Sequence, residues 1–185
     1  MKQEVKNFNK KYPLWKACSD DKIRTGMHYI SFANGYAYAT DSRILVRARL
    51  TDISNFDEQD LSLLDGKFIH GKLFKEILNC KGNVIITADA IIAERNECKI
   101  SYPLKTGIRF PDCEKAMVGS GLTEIKNKFG IKARFLNTLS EVMGADYGIG
   151  MKWKSNHMFE VKPLGLSGDI KGVIMAIMMD YESKD

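Results

Sequence analysis

The residues of this chain that could ligate a metal, act as a nucleophile or base, or cradle a phosphate through backbone N–H groups include three histidines, four cysteines and a group of glycines, and their spacing arms none of them. His28, His70 and His157 stand far apart, and none sits in a metal-binding or nucleophile motif. Cys18, Cys80, Cys98 and Cys113 form no CxxC pair, the close ligand spacing on which zinc sites rely. Gly144, Gly148 and Gly150 lack both the spacing and the lysine of a phosphate cradle. No cofactor, metal or catalytic residue is therefore assigned, and the chain is read as a binding protein rather than an enzyme. Three stretches carry the residues suited to contact: Ala39-Thr40-Asp41-Ser42-Arg43-Ile44-Leu45, Arg109-Phe110-Pro111-Asp112, and Gly172-Val173-Ile174-Met175-Ala176-Ile177-Met178-Met179.

The bulk properties describe what must hold those stretches in place. A chain of 185 residues buries roughly 70% of its unfolded surface, enough for a core without covalent staples. Its 44% apolar and 28% charged content is that of a globular protein. No apolar run approaches the roughly 20 residues that span a bilayer, and Met1-Lys2-Gln3-Glu4-Val5-Lys6 carries no signal-peptide core, so a cytoplasmic location without membrane partners is expected. Cys18 and Cys80 fall in apolar helical patterns and are expected to be buried free thiols. The net charge of +5 permits contact with nucleic acid without requiring it.

The elements follow from local pattern. Asn34-Gly35 lies between the β-prone runs His28–Ala33 and Tyr36–Thr40 and predicts a hairpin with a type I′ turn, both central residues at positive φ. Ile44, Val46, Ala48 and Leu50 then alternate with Arg47 and Arg49, which predicts a strand with one buried face and one basic, wet face. Helical spacing of Leu73, Phe74, Ile77 and Leu78 predicts a helix over 71–80, and Phe135, Leu136, Leu139, Val142 and Met143 predict one over 132–143. A shorter helix is expected at 14–18, with Pro13 in its first turn. Further strands are expected at 67–69, 84–88, 90–95, 99–104, 149–154, 158–162 and 173–179. Two stretches, 51–64 and 115–128, read as surface connections, the second containing Gly119-Ser120-Gly121. The result is an α+β chain of three units, each a helix followed by a small antiparallel meander. Such units bury their apolar faces only by pairing or stacking. The best boundary divides 1–118, with two units, from 119–185, with one.

Residues, motifs and order together resemble the bacterial sliding-clamp family, the DNA polymerase III beta subunits. Ala39-Thr40-Asp41-Ser42-Arg43-Ile44-Leu45 is similar to the family's Ala-Thr-Asp-Gly-His-Arg-Leu, and Gly107-Ile108-Arg109-Phe110-Pro111-Asp112 to its Gly-Arg-Phe-Pro-Asp-Tyr. Val173-Ile174-Met175-Ala176-Ile177-Met178-Met179 is similar to its terminal Val-Val-Met-Pro-Met-Arg-Leu. Ser42 stands for the family's glycine, Cys113 for its aromatic, Ala176 for its proline and Met178 for its arginine. About 5–118 resembles the clamp's middle domain, and about 128–179 the C-terminal half of its last domain.

The resemblance implies a DNA-clamp fold and a non-enzymatic, processivity-factor-like role in DNA replication. It also implies a cleft for short peptide motifs of DNA polymerase or clamp-loader proteins. Carried over residue by residue, that cleft comprises Thr40, Ser42, Arg43, Ile44, Leu45, Pro111, Lys115, Ala116, Val173, Met175, Ala176, Ile177 and Met179. Apolar anchors of an extended peptide suit such a cleft, and methionines make it adaptable. For double-stranded DNA the candidates are Arg24, by resemblance, and Lys16, Lys72, Lys75, Lys132 and Arg134 on the expected helices, diluted by Glu76 and Glu141.

Plainer roles stay open for the same residues. Asp41 and Pro111-Asp112 are ordinary turn formers. The methionines suit a core strand as well as a pocket wall, and the lysines suit a solvated face. Two further readings stand beside the clamp-like one: an interaction module of the same fold that does not encircle DNA, and a small-ligand binding protein reusing the fold. A clamp ring uses twelve half-domain units, so three per chain make closure, as a homo-oligomer, a matter of four chains.

Overall fold

A computed structural model describes residues 5–80, 82–95, 98–118, 129–155 and 157–178. A 3-10 helix at Leu14–Ala17 and another at Thr25–His28 precede three strands, β1 (Tyr29–Ala33), β2 (Tyr36–Thr40) and β3 (Ile44–Arg49). Two short helices, α1 (Leu50–Ile53) and α2 (Glu58–Leu64), lead to β4 (Phe68–His70) and α3 (Gly71–Asn79). Strands β5 (Val84–Ile86), β6 (Ala90–Arg95) and β7 (Cys98–Pro103) follow, then α4 (Cys113–Val118), β8 (Phe129–Gly130) and α5 (Ala133–Val142). The chain continues as β9 (Ile149–Ser155), β10 (Met158–Pro163), β11 (Ile170–Met175) and β12 (Ile177–Met178).

The fold is α+β. A seven-stranded sheet runs in the order β4-β1-β2-β3-β11-β10-β9, with every neighbouring pair antiparallel. A separate three-stranded sheet holds β5-β6-β7, and β8 pairs with β12. Strands from either side of residue 118 meet in the large sheet, where Ile44 opposes Ile174, Leu45 opposes Val173 and Val46 opposes Gly172. At Gly172 a Cβ would stand 2.9 Å from the Leu45 carbonyl oxygen and 3.1 Å from a methyl of Leu139, so glycine here lets α5 settle onto the join. Asn34 and Gly35 adopt φ of 53° and 77°, the turn their types predict.

The 3-10 helix at Leu14–Ala17 packs against both α3 and α5, and these three cover one face of the sheet. Phe74, Ile77 and Leu78 of α3 and Phe135, Leu139 and Val142 of α5 are buried there, joined by Leu14, Ile30, Val46 and Ile174. Phe8 meets Phe56 and Phe74 edge-on, at ring distances of 4.8 and 4.9 Å.

Several local expectations are corrected. The first helix is a single 3-10 turn, because Pro13 stands at its N-cap with no side-chain cap and Cys18 is already extended. Residues 51–64 are no surface connection. Asp57 Oδ1 accepts the Asp60 N–H at 2.9 Å and starts α2, while Ile53, Phe56 and Leu64 are buried. The turn-like composition there is a helix cap. Residues 113–118 of the second expected connection form α4, and 119–128 lie outside the described residues. Cys18 and Cys80 close helices and are half-buried, whereas Cys113 is the buried thiol. The last expected strand breaks at Ala176, whose N–H donates to the His157 carbonyl at 2.6 Å and turns the chain toward β8.

Candidate functional site

Strand β3 buries both of its faces. Ile44, Val46 and Ala48 point into the main core, while Leu45 joins Tyr38, Val173, Cys113 and Met117 in a second, smaller apolar cluster under α4. The face expected to be wet is thus roofed over along its first half. Arg47, on that face, keeps only 11% of its side chain exposed. Its guanidinium donates to both Asp169 oxygens at 3.1 Å and lies 4.3 Å from the Tyr36 ring centre.

Two small devices shape the rim. In the β2–β3 turn, Asp41 Oδ1 accepts the N–H groups of Arg43 and Ile44 at 2.8 and 2.9 Å. Thr40 Oγ1 donates to the Ile44 carbonyl at 2.7 Å and accepts the Ser42 N–H at 3.0 Å. Ser42 takes a φ of 77°, a left-handed geometry that costs a serine more than a glycine. At the other wall, Asp112 Oδ1 accepts the Lys115 N–H at 3.0 Å and starts α4 directly after Pro111. Phe110 rests on Phe68, ring centres 5.9 Å apart. The Tyr38 hydroxyl donates to Glu114, whose carboxylate also lies 3.4 Å from Arg47, and together they tie α4 down to the sheet.

Between these walls lies a cleft of about 250 Å³. It is lined by Thr40, Ser42, Arg43, Ile44, Leu45, Pro111, Asp112, Val173 and Met175 from the three singled-out stretches, by the cleft candidate Ala116, and by Met27, Cys113 and Met158. Lys115 lies on the exposed side of α4, and Ala176 packs on the main core; neither lines the cleft. Ile177, 49% exposed, is carried away by the pairing of β12 with β8. Met179 lies outside the described residues. Cys113 directly follows the second stretch, where it replaces the family's aromatic. Met27 and Met158 carried no sequence signal: only the fold brings them to the rim, Met158 by standing opposite Met175 in the β10–β11 pairing.

The chemistry of this cleft is apolar and non-covalent. Burial and the neighbouring Asp112 and Glu114 carboxylates push the Cys113 thiol up to about 12, so it is an un-ionised, inert group at neutral pH. Tyr38 is likewise raised, first by burial and then by Glu114. The hydrogen bond from Tyr38, against opposing burial, and then Arg47 hold Glu114 below its usual carboxylate value. Away from the cleft, His70 Nδ1 accepts the Lys72 N–H at 3.2 Å as the cap of α3, a structural use. Among the described residues no group of three His, Cys, Asp or Glu side chains is placed to hold a metal ion, and no helix is long and apolar enough to cross a membrane.

The basic candidates divide between two places. Lys16 and Lys75 both approach the Trp15 ring, at 5.7 and 4.6 Å, and Arg134 lies over Phe135 at 4.8 Å. Lys72 and Lys132 are exposed at the starts of α3 and α5. Lys16 is also paired with Glu141 at 2.5 Å. Arg24 stands elsewhere, its guanidinium against the Ser42 hydroxyl at the cleft rim and 3.8 Å from Asp21.

Solved structures similar to this one share a single architecture. The DNA polymerase sliding clamp of Bacillus subtilis superposes with a TM-score of 0.60 over 96% of this chain and 65% of its own, at 10% identity. The fold is that of the bacterial sliding clamps. The DNA polymerase III beta subunit of Thermotoga maritima gives a TM-score of 0.57 over 94% of this chain and 64% of its own, at 10% identity. A Helicobacter pylori beta clamp bound to a DNA ligase peptide gives 0.52 over 92% and 63%, at 12% identity. This sliding-clamp-like chain therefore spans a little under two thirds of the length of the clamps it resembles. No family model and no curated protein matches its sequence.

Proposed function

We propose that this protein is a non-enzymatic, sliding-clamp-like DNA replication accessory factor that holds short, extended peptide motifs of polymerase- or clamp-loader-type partners in the cleft between β3, β11 and α4. One observation supports this most directly. Three stretches, each about 60 residues from the next and none demanding the others locally, line one apolar cavity of about 250 Å³. Its Leu45, Val173 and Met175 offer a greasy floor, and Thr40, Ser42 and Arg43 offer polar groups at its edge. The H. pylori clamp of the same fold is bound to a DNA ligase peptide, which lends the reading weight. Each Leu- or Phe-sized anchor buried there contributes about 1.5–3 kcal/mol, and the ordering cost of an extended peptide leaves affinities on the order of micromolar.

Titration of a labelled peptide carrying Leu and Phe anchors tests the proposal. Saturable binding that Met175→Glu weakens about tenfold or more is expected, because a carboxylate in the cleft leaves a charge to desolvate. Ile177→Glu, two residues on but outside the cleft, leaves the affinity unchanged. Equal binding by the Met175 variant, or no binding by the parent protein, overturns the assignment.

A second reading rests on a separate observation. Lys16 and Lys75 gather on Trp15 between the two long helices, and the nearby helix starts carry Lys72, Lys132 and Arg134. This supports sequence-independent contact of the helical layer with duplex DNA. A clamp-fold interaction module that leaves DNA alone would share the cleft and lack this contact.

A further inference from the structure

Beside the cleft, and meeting it at Met27 and Pro111, lies a larger open groove of about 510 Å³. Its walls are the loop and 3-10 helix around Arg24–Met27 and the segment Gly107–Pro111. Gly26 sets their spacing: a Cβ there would fall 2.1 Å from the Arg109 carbonyl oxygen, so the two walls touch at the groove's base. The apolar lining is Ile23, which is 90% exposed, with Tyr29, Ile108 and Phe110.

The charges around this groove are uneven. Arg24 and Arg109 line it, and Arg43 stands at the adjoining cleft rim. Arg109 and Arg43 make no ion pair among the described residues, and Arg24 has only Asp21, at 3.8 Å. The nearby acids are already committed to backbone. Asp41 accepts two N–H groups of its turn, Asp112 accepts the Lys115 N–H in the first turn of α4, and Asp21 Oδ1 accepts the Ile23 N–H at 2.9 Å. The Arg24 guanidinium touches Ser42, so it stands where one cavity opens into the other.

We infer that the groove receives the acidic flank of the same peptide whose apolar anchors fill the cleft, so that the preferred partner motif is apolar at one end and rich in Asp or Glu at the other. The inference rests on the cleft being a peptide site and adds the chemistry of the partner beyond the anchors. An extended peptide leaving the cleft over Met27 and Pro111 enters the groove lined by Arg24 and Arg109, whose planar guanidinium groups suit carboxylates. An acidic flank also speeds encounter with the basic rim.

Three labelled peptides of identical anchors test this: one without charged flanks, one with three Glu residues before the anchors, and one with three after. At low ionic strength one flanked peptide binds about three- to tenfold more tightly than the unflanked one, and the gain fades toward 0.5 M salt. Arg109→Glu erases or reverses that gain, and Arg109→Lys keeps part of it. Equal gains for both flanked peptides point to attraction by overall charge and overturn the inference, as does a gain that survives Arg109→Glu. If the unflanked peptide binds and neither flank helps, the groove fails alone. If no peptide binds, the cleft assignment fails and takes the groove with it.

Discussion

Glu114 is the residue on which the geometry of the cleft turns. It lies on α4, accepts from Tyr38 and faces Arg47, whose buried Nε has no hydrogen-bond partner. Removing the carboxylate deprives Arg47 of one of its two counter-charges and leaves α4 held to the sheet by the apolar contacts of Cys113, Ala116 and Met117. Because Glu114 is about half exposed, Glu114→Gln is expected to cost about 0.5–1 kcal/mol at pH 7. The sign with pH is fixed by the direction of its shift. The folded carboxyl titrates below the roughly 4.3 of an unfolded Glu, so its contribution is complete above that value and is lost as pH falls through the lower, folded value. Urea midpoints of parent and variant should therefore differ at pH 7 and draw together as the pH falls through the folded value. A gap that does not narrow on acidification would assign the effect to packing instead. At this scale Asp41 makes the turn its type predicts, whereas Asp112, expected as a turn former, caps α4 instead. It was silent on Glu114, because nothing local says that a helix residue will meet a tyrosine 76 positions earlier.

Among elements, those whose evidence is local were legible and those defined by a partner were not. The Asn34-Gly35 hairpin and the apolar stripes of α3 and α5 follow from two or a dozen neighbouring residues, and they stand where pattern places them. The helix cap at Asp57 was misread because a capping aspartate and a loop aspartate look alike without the buried Phe56 and Leu64 beside it. The break at Ala176 had no signal at all, since Val173-Ile174-Met175-Ala176-Ile177 contains no turn former and the bend depends on a distant carbonyl. The pairing of β3 with β11 is the most consequential of these long-range facts, and Gly172 is its weak point. A methyl there gains a little from the lower backbone entropy of alanine, on the order of 0.5–1 kcal/mol, but it collides with the backbone oxygen of Leu45 and presses on Leu139. Backbone cannot yield as a side chain can. Gly172→Ala is thus expected to destabilise by about 1–3 kcal/mol net, read as a lower urea midpoint at unchanged slope. An unchanged or raised midpoint would mean that the strand join is looser than its geometry indicates.

For the whole molecule, the convergence of the three stretches is implied in the sequence only by family resemblance, because strand periodicity states that a segment is a strand and never which strand it lies beside. The same limit applies to the lysines: helical spacing puts them on helix surfaces, and only the packing of the 3-10 helix against α3 and α5 brings Lys16 and Lys75 together on Trp15. These cations have a measurable consequence if they meet DNA. Lys72, Lys75, Lys132 and Arg134 make no ion pair among the described residues, whereas Lys16 is offset by Glu141. Four free cations releasing counterions from duplex DNA give a slope of about −3 to −4 in log affinity against log salt concentration. Arg24 stands at the cleft rim against Ser42, and changing it to alanine should leave that slope unaltered. The double change Lys75→Glu and Arg134→Glu should flatten the slope by about two units and weaken binding equally on unrelated sequences, since phosphate contacts carry no base information. Anisotropy titrations of a 20-base-pair duplex between 20 and 150 mM salt separate the possibilities. A slope insensitive to the double change, with affinity lost in Arg24→Ala instead, would move any DNA contact to the groove side of the sheet and leave the helical layer a solvated face.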